Sequence, residues 1–383
     1  MKKSVSILGS TGSIGKQTLE VISSMPHKFK VVGLAAKDNL SLLAAQVAKF
    51  SPSIVSVENE ASAEALQKKL GKTRTTVYFG LEGLIKLSTL KDISTLVVAI
   101  PGSTAIIPTL EAIRSKKDIA LASKEVLVAA GDIVMKEVSK RKVMLTPIDS
   151  EHVAVTQCLK GEGVPKIKRI ILTASGGPFL NTPVERFSKV TINEALSHPR
   201  WKMGNKISID SATLINKGFE VIEAHHLFGL DYDKIDILIH PQSIIHSIIE
   251  FIDGTMLAQF AAPDMRIAIQ YALLEGERLQ NKWETLNLAE QNALTFEKPD
   301  RQKFPCIDYA YRAGRTGGTM PSVLNAANNE ATRLFLEEKI PFTEIPRLIK
   351  GAMDRHKIIP EPTIEDILEV DMTTKKEISP TIA

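Results

Sequence analysis

Cysteine is nearly absent. Cys158 and Cys306 are the two in 383 residues, far apart and without a CxxC pair, which excludes a disulfide framework or cysteine-rich zinc site and suits a reducing cytoplasm, both thiols packing in a core. Long apolar runs are missing too. No stretch approaches the roughly 18 to 20 apolar residues of a bilayer span, so a spanning protein is excluded. The Lys2-Lys3 start imitates a signal peptide, but only residues 4–8 follow before a glycine-rich turn, too few for an h-region of about 7 to 15 residues. The mature chain is therefore expected to start at Met1, without an export signal or organelle-targeting extension. Charge of one sign is scarce as well: 48 Lys plus Arg against 44 Asp plus Glu leaves +4, too small a surplus to propose nucleic acid or a membrane as partner. A local anionic ligand stays open.

What is present reads as a folded, water-soluble chain. Hydrophobic residues make up 44% and charged residues 24%, ordinary globular values, and at roughly 150 residues per domain the length suits two to three domains. Short β-branched runs at 5–8, 29–35, 54–57, 96–100, 119–122 and 143–148 alternate with helix-like segments, the pattern of a mostly parallel sheet with helices on both faces. Further strands are expected at 170–174 and 235–239. Residues 247–252 and 255–260 should pair as a hairpin across Asp253-Gly254, because glycine takes positive φ at little cost. An α+β region therefore occupies about 151–275. Residues 276–305 are polar and unperiodic and read as a connecting segment. Helical spacing returns at 326–336 and 343–353, with Pro341 and Pro360 as breakers.

The sequence Gly9-Ser10-Thr11-Gly12-Ser13-Ile14-Gly15 follows the first strand and opens a helix carrying Leu19, Val21 and Ile22. Glycines let a pyrophosphate approach backbone N–H groups at the positive end of a helix. The GxxGxxG spacing is one residue longer than the usual NAD fingerprint. A P-loop fails at Ser10 and Gln17 despite Gly15-Lys16, and a merely tight turn is the remaining alternative. After the second strand, Ala35-Ala36-Lys37 supplies a lysine and no acid, which favours NADP(H) over NAD, since a basic residue tolerates the 2′-phosphate. Asp38 and ordinary surface exposure of Lys37 stand against it.

At the sixth expected strand end stands Thr146-Pro147-Ile148-Asp149-Ser150-Glu151-His152. If the strand continues, Asp149 and Glu151 share one face at the carboxyl end of a parallel sheet, a place suited to Mg²⁺ or Mn²⁺. Helix capping is the competing account. Ser175-Gly176-Gly177 offers a hydroxyl beside flexible backbone, an anion nest or a simple turn. Ser211, Asn216, Lys217 and Glu220 bring hydroxyl, amide, ammonium and carboxylate within ten positions, although Lys217 and Glu220 also fit a helical surface pair. Between them, 198–204 holds Trp201 with a proline and a glycine, a composition suited to a mobile lid. His225, His226, His240 and His246 lack zinc spacing and read as structural.

Taken together, GSTGSIG at 9–15, LASKEVLVAAG at 121–131, PIDSEH at 147–152, LTASGGPF at 172–179, HPRWKMGNKISIDSATLINKGFEVIEA at 198–224, AAPDMR at 261–266 and LNAANNEA at 324–331 closely resemble the 1-deoxy-D-xylulose 5-phosphate reductoisomerase family in order and spacing, over nearly the whole chain. The resemblance implies an α/β fold with three parts: an N-terminal Rossmann-like NADPH-binding domain at 1–150, a central α+β catalytic and dimerisation domain at 151–275 with a flexible lid near 197–205, and, after the connecting segment, a C-terminal helical bundle at 306–383. It implies a cytoplasmic homodimer that turns 1-deoxy-D-xylulose 5-phosphate into 2-C-methyl-D-erythritol 4-phosphate in non-mevalonate isoprenoid biosynthesis, using NADPH and Mg²⁺ or Mn²⁺. Residue by residue, it places the metal on Asp149, Glu151 and Glu220, and catalysis on these with Lys124. Substrate contacts fall on Lys124, Ser150, Glu151, Ser175, His198, Trp201, Met203, Ser211, Asn216 and Lys217. Cofactor contacts fall on Thr11, Gly12, Ser13, Ile14, Lys37, Asn39, Ser123, Glu125 and Gly204. Two places depart from the family's usual pattern: residues 35–39 carry less glycine, and Ser123 stands where asparagine is frequent.

On this reading the chemistry is a rearrangement by retro-aldol cleavage and recombination, followed by hydride transfer to an aldehyde. A simple NADP-dependent dehydrogenase would share the first domain but leave three carboxylates unexplained. A non-catalytic NADP-sensing protein would have no need of the acidic and phosphate-binding groups.

Overall fold

The computed structural model describes residues 2–201 and 203–379. Met1, the expected chain start, Lys202 of the expected lid and residues 380–383 of the expected C-terminal bundle lie outside the described residues. The alternation of β-branched and helical runs produces β1 (Lys3–Leu8), α1 (Ser13–Ser24), β2 (Phe29–Ala35), α2 (Leu40–Phe50), β3 (Ile54–Val57), α3 (Glu60–Leu70), β4 (Thr76–Phe79), α4 (Gly80–Ser88), β5 (Thr95–Val98), α5 (Ile106–Arg114), β6 (Asp118–Leu121), α6 (Lys124–Arg141) and β7 (Leu145–Pro147). The seven strands form one sheet in the order β4-β3-β2-β1-β5-β6-β7, and every neighbouring pair is parallel. Strand order reverses between β1 and β5, so the crevice beyond their carboxyl ends is the ligand site this topology provides. The central strands are buried on both faces, which is why they read as continuous apolar runs instead of alternating ones. β4 was not expected from the sequence. It is a half-exposed edge strand, TVYF, following the polar stretch 72–75, and its apolar run is only three residues long.

The remaining chain forms α7 (Ser150–Cys158), β8 (Ile167–Ala174), α8 (Ile192–Leu196), α9 (Asn205–Ala212), α10 (Ile215–Phe228), β9 (Ile235–Ile239), β10 (Ile245–Phe251), β11 (Met256–Phe260), α11 (Met265–Leu273), α12 (Cys306–Thr316), α13 (Met320–Leu336), α14 (Glu344–Arg355) and α15 (Ile364–Ile378). A second sheet runs β11-β10-β8-β9. The expected hairpin is β10 with β11, antiparallel, turning at Gly254 with φ +86°. Helix ends follow local chemistry: Thr191 with Glu194 and Thr363 with Asp366 each make a reciprocal cap, opening α8 and α15, the arrangement that satisfies two otherwise orphaned N–H donors.

Contacts divide the chain into two compact units that do not follow chain order. The described residues of the first are 2–126, 134–153 and 264–283; those of the second are 127–133, 154–201, 203–263 and 284–379. In the first unit α11 returns onto α1, and Ile269, Ala272 and Leu273 join the core of Leu19, Ile22 and the sheet residues. Arg266 pairs with Glu20 at 3.2 Å and stacks over Trp283 at 4.4 Å. In the second unit, β8 and β9, α9 and α10 share a core with α12 to α15. Phe342 meets Phe179, Phe187 and Phe335 edge-on within it. No described helix is long and apolar enough to cross a membrane.

Candidate active site

The glycine turn sits at the β1/β5 switch point. The backbone N–H groups of Gly9 and Ser10 both donate to the Ala35 carbonyl, at 3.0 and 2.8 Å, drawing the turn across the end of β2. A Cβ at Gly9 would lie 2.3 Å from the Ala99 carbonyl oxygen, and one at Gly15 would lie 2.1 Å from that of Gly9. Both positions therefore require glycine on close approach alone. Gly12 caps α1 without a side-chain hydrogen bond, so the exposed start at Ser13 presents first-turn N–H groups to any anion. Thr11 and Ile14 flank it, half-buried. Sequence reasoning missed the brace beneath: buried Gln46 accepts from the Ser10 hydroxyl at 2.7 Å and donates to the Ser10 carbonyl at 2.9 Å. A glutamine inside α2 carries no motif to flag it.

At the end of β2, Lys37 is exposed and lies 3.2 Å from Glu58. Asn39, exposed, caps α2 by accepting from Leu42 N–H at 3.1 Å. Ser123 caps the start of α6 and donates to the Ile100 carbonyl at 2.6 Å, tying that helix to the end of β5. Glu125 is buried in the first turn of that helix.

Lys124 is the first residue of α6, buried, and its Nζ donates to Asp149. The expectation that Asp149 and Glu151 share a strand face is overturned. β7 ends at Pro147, and the Asp149 carbonyl accepts from Val153 N–H at 3.0 Å, so Asp149 opens α7 and Glu151 lies in its first turn. The carboxylates share a neighbourhood through helix geometry, where negative charge is favoured near the N-terminal dipole. Ser150 donates to Glu151 at 2.6 Å. His152 is fully buried with Nδ1 3.8 Å from Asp149, beyond hydrogen-bond reach.

In the second unit, the turn after β8 carries Ser175. His198 Nε2 lies 2.8 Å from its Oγ, and His198 Nδ1 accepts from the N–H groups of Arg200 and Trp201 at 3.1 and 2.9 Å. Because Nδ1 accepts, the proton of the neutral ring belongs on Nε2, which donates to Ser175. Burial pushes the His198 pKa down to about 4, so the ring is neutral at pH 7. Ser175 Oγ also accepts from Gly177 N–H at 3.2 Å. With two donors directed at its oxygen, the hydroxyl hydrogen is free to serve an anion. A Cβ at Gly177, where φ is +69°, would lie 2.6 Å from the Ser211 carbonyl, so the nest abuts α9 at Ser211.

On α10, Glu220 is buried to 1% exposure. Asn216 Nδ2 donates to its Oε1 at 2.6 Å, and Lys217 donates to its other oxygen. Leu214, at φ +58°, makes the sharp join that lets α10 start immediately after α9. Trp201 lies half-buried with its ring 6.2 Å from His246, Met203 is half-buried, and Gly204 caps α9. His225 and His240 read as structural and are so placed: each Nδ1 meets a backbone carbonyl, of Leu230 and Thr295. Neither cysteine forms a disulfide; Cys306 is buried and Cys158 half-buried.

A parallel sheet with a glycine-lined switch point, and a hydroxyl, imidazole, ammonium and carboxylate set on the second unit, define the class: a dinucleotide-binding α/β enzyme acting on an anionic small molecule. Family models described as 1-deoxy-D-xylulose 5-phosphate reductoisomerase, its C-terminal domain and the DXP reductoisomerase C-terminal domain match residues 5–131, 145–228 and 260–377. The chain belongs to the 1-deoxy-D-xylulose 5-phosphate reductoisomerase family. It is 51% identical over 381 residues to the reductoisomerase of Microcystis aeruginosa, covering 98% of each. It is similar to the solved structure of the Zymomonas mobilis reductoisomerase in complex with NADPH, with TM-score 0.93, 35% identity and coverage of 100% and 99%. A DOX-P reductoisomerase in complex with NADPH, fosmidomycin and magnesium gives TM-score 0.95, 37% identity and coverage of 99% and 98%.

Proposed function

We infer that this chain is an NADPH- and divalent-metal-dependent oxidoreductase converting 1-deoxy-D-xylulose 5-phosphate into 2-C-methyl-D-erythritol 4-phosphate. The observation that carries the reading is the match along 98% of the chain to a reductoisomerase, seconded by solved relatives that hold NADPH and magnesium. The residues present suit both groups. Carboxylate oxygens at Asp149, Glu151 and Glu220 are the hard donors that Mg²⁺ or Mn²⁺ takes, and the glycine turn is a cradle that a Cβ would fill.

In this reading Thr11, Gly12, Ser13 and Ile14 receive the pyrophosphate, Lys37 and Asn39 face the 2′-phosphate end, and Ser123, Glu125 and Gly204 complete the cofactor's surroundings. Asp149, Glu151 and Glu220 hold the cation. When bound, the cation polarises the substrate carbonyl and NADPH supplies hydride. Lys124, held at the start of α6, donates a hydrogen bond or proton to a reacting oxygen, and Ser150 orients Glu151. The substrate phosphate takes the Ser175 and Ser211 hydroxyls, Asn216 and Lys217, while neutral His198 orients Ser175 and fixes the turn that carries Trp201. Phosphate binding then supplies the energy for closing Trp201 and Met203 over the substrate and excluding water.

The domain roles follow as 1–150 for cofactor, 151–275 with the 197–205 lid for catalysis and dimerisation, 276–305 as connection and 306–383 as helical support. We propose a homodimer through the β11 edge, where Met256, Leu257 and Phe260 are exposed and one strand edge is open to a second copy. Two cysteines without a disulfide suit a cytoplasmic location. The test is purified chain with NADPH, Mn²⁺ and 1-deoxy-D-xylulose 5-phosphate: NADPH absorbance should fall and the product should be 2-C-methyl-D-erythritol 4-phosphate. NADPH consumption that persists without metal and gives an unrearranged alcohol would establish the simple dehydrogenase instead.

A further inference from the structure

The LNAANNEA segment has no part in the chemistry above, yet it lies on α13 with Asn325 and Asn328 fully buried. Its companions on that helix, Leu324, Ala327 and Ala331, are apolar core, so two amides interrupt a packed stripe. Asn328 Nδ2 donates to Asp210 Oδ1 at 2.8 Å, across 118 residues of sequence. Asp210 is itself buried, and its Oδ2 lies 2.7 Å from Lys206 one turn earlier on α9. The Asn328 oxygen has no partner among the described residues. A leucine would fill such a position without exposing the fold to an unmatched polar atom, so packing alone does not explain the amide. Its directional bond to Asp210 does. α9 has eight residues and no side-chain cap at Gly204, begins directly after the Trp201 loop, and places Ser211 next to Asp210.

We propose that Asn328 and Asp210 are a positioning pair: α13 holds α9, and thereby Ser211 and the downstream end of the lid, in the arrangement that receives the substrate phosphate. This rests on the reading of Ser211 and the lid given above. The C-terminal helices are then part of the substrate site's support although they touch no reactant.

The experiment uses the full chain with NADPH and Mn²⁺, comparing the unmodified protein with Asn328→Leu, Asn328→Ala, Asn328→Asp, Asp210→Asn and the exchange that combines the last two. Asn328→Leu should keep its circular dichroism and its Kd for NADPH, raise KM for 1-deoxy-D-xylulose 5-phosphate roughly tenfold, and change kcat less. The exchange, which restores a donor facing an acceptor, should recover part of the KM lost in Asn328→Asp alone. If Asn328→Leu does not fold, Asn328→Ala is judged by the same measurements. An unchanged KM in a folded Asn328 variant, or an exchange no better than the sum of its single changes, would overturn the pair. Absence of turnover in the unmodified chain would overturn the functional reading and this proposal together.

Discussion

At residue 198 the decisive fact is a neutral imidazole. Its Nδ1 accepts two backbone N–H groups, an arrangement that protonation would destroy by placing a third hydrogen there. The folded pKa of about 4 lies below the ordinary 6.5 because burial disfavours the charged ring. Between these values an unfolded chain binds a proton that the folded one does not. The stabilising contribution is therefore complete above pH 6.5 and is lost as pH falls through about 4. Trp201 emission, with Trp201→Phe as the blank, should hold steady from pH 8 to about 5 and change with a midpoint near 4; a midpoint near 6.5 would show a solvated ring. Ser175 offers a second prediction. Removing one hydrogen bond to a charged group costs about 1.5–3 kcal/mol, or roughly 10- to 150-fold, so Ser175→Ala should raise KM by that order in steady-state assays and leave Kd for NADPH unchanged. An unaltered KM would remove Ser175 from the phosphate site.

Among elements, the strand-turn-helix unit of β1 and α1 was legible because its glycines answer a backbone demand visible in the spacing. The brace from α2 was not, since nothing in the letters around Gln46 distinguishes it from a surface glutamine. Gln46→Leu should leave the thermal transition within a few degrees while weakening NADPH binding about tenfold, the scale of two lost hydrogen bonds of roughly 0.5–1.5 kcal/mol each; unchanged fluorescence titration by NADPH would show that the turn holds itself. The segment 147–152 taught the opposite lesson. Pro147, Asp149 and Ser150 are as much helix-start residues as strand-end residues, and the helix won because the Asp149 carbonyl and the first-turn acid both suit an N-terminus. The metal-binding role proposed for Asp149 and Glu151 therefore rests on the helix start and not on a shared strand face. β4 escaped notice because its apolar run, Val77 to Phe79, is short and half-exposed, as an edge strand allows.

For the whole molecule, the parallel sheet, the hairpin at Asp253-Gly254 and the helical character after residue 306 were all readable, because each rests on local periodicity. The return of 264–283 to the first unit was not, because it depends on which face of α11 meets α1, a contact between residues some 250 positions apart, as Glu20 and Arg266 are. The proposed site residues come from resemblance more than from physics: hydroxyls, amides and acids in separate stretches acquire meaning only in company. Assembly belongs to this scale too. Leu257→Lys on the exposed edge of β11 should convert a dimer to a monomer in light scattering, whereas a monomer before substitution would rule out the edge as an interface.

The claim on which the account turns is that Asp149, Glu151 and Glu220 together hold the catalytic cation. Mn²⁺ titration followed by electron paramagnetic resonance, in the presence of NADPH, tests it without relying on turnover. The unmodified chain should bind one Mn²⁺, with Asp149→Asn and Glu220→Gln each weakening that binding at least about tenfold, the loss of one charged ligand of roughly 1.4 kcal/mol or more, while still binding NADPH. Undiminished Mn²⁺ affinity in Glu220→Gln would contradict the account.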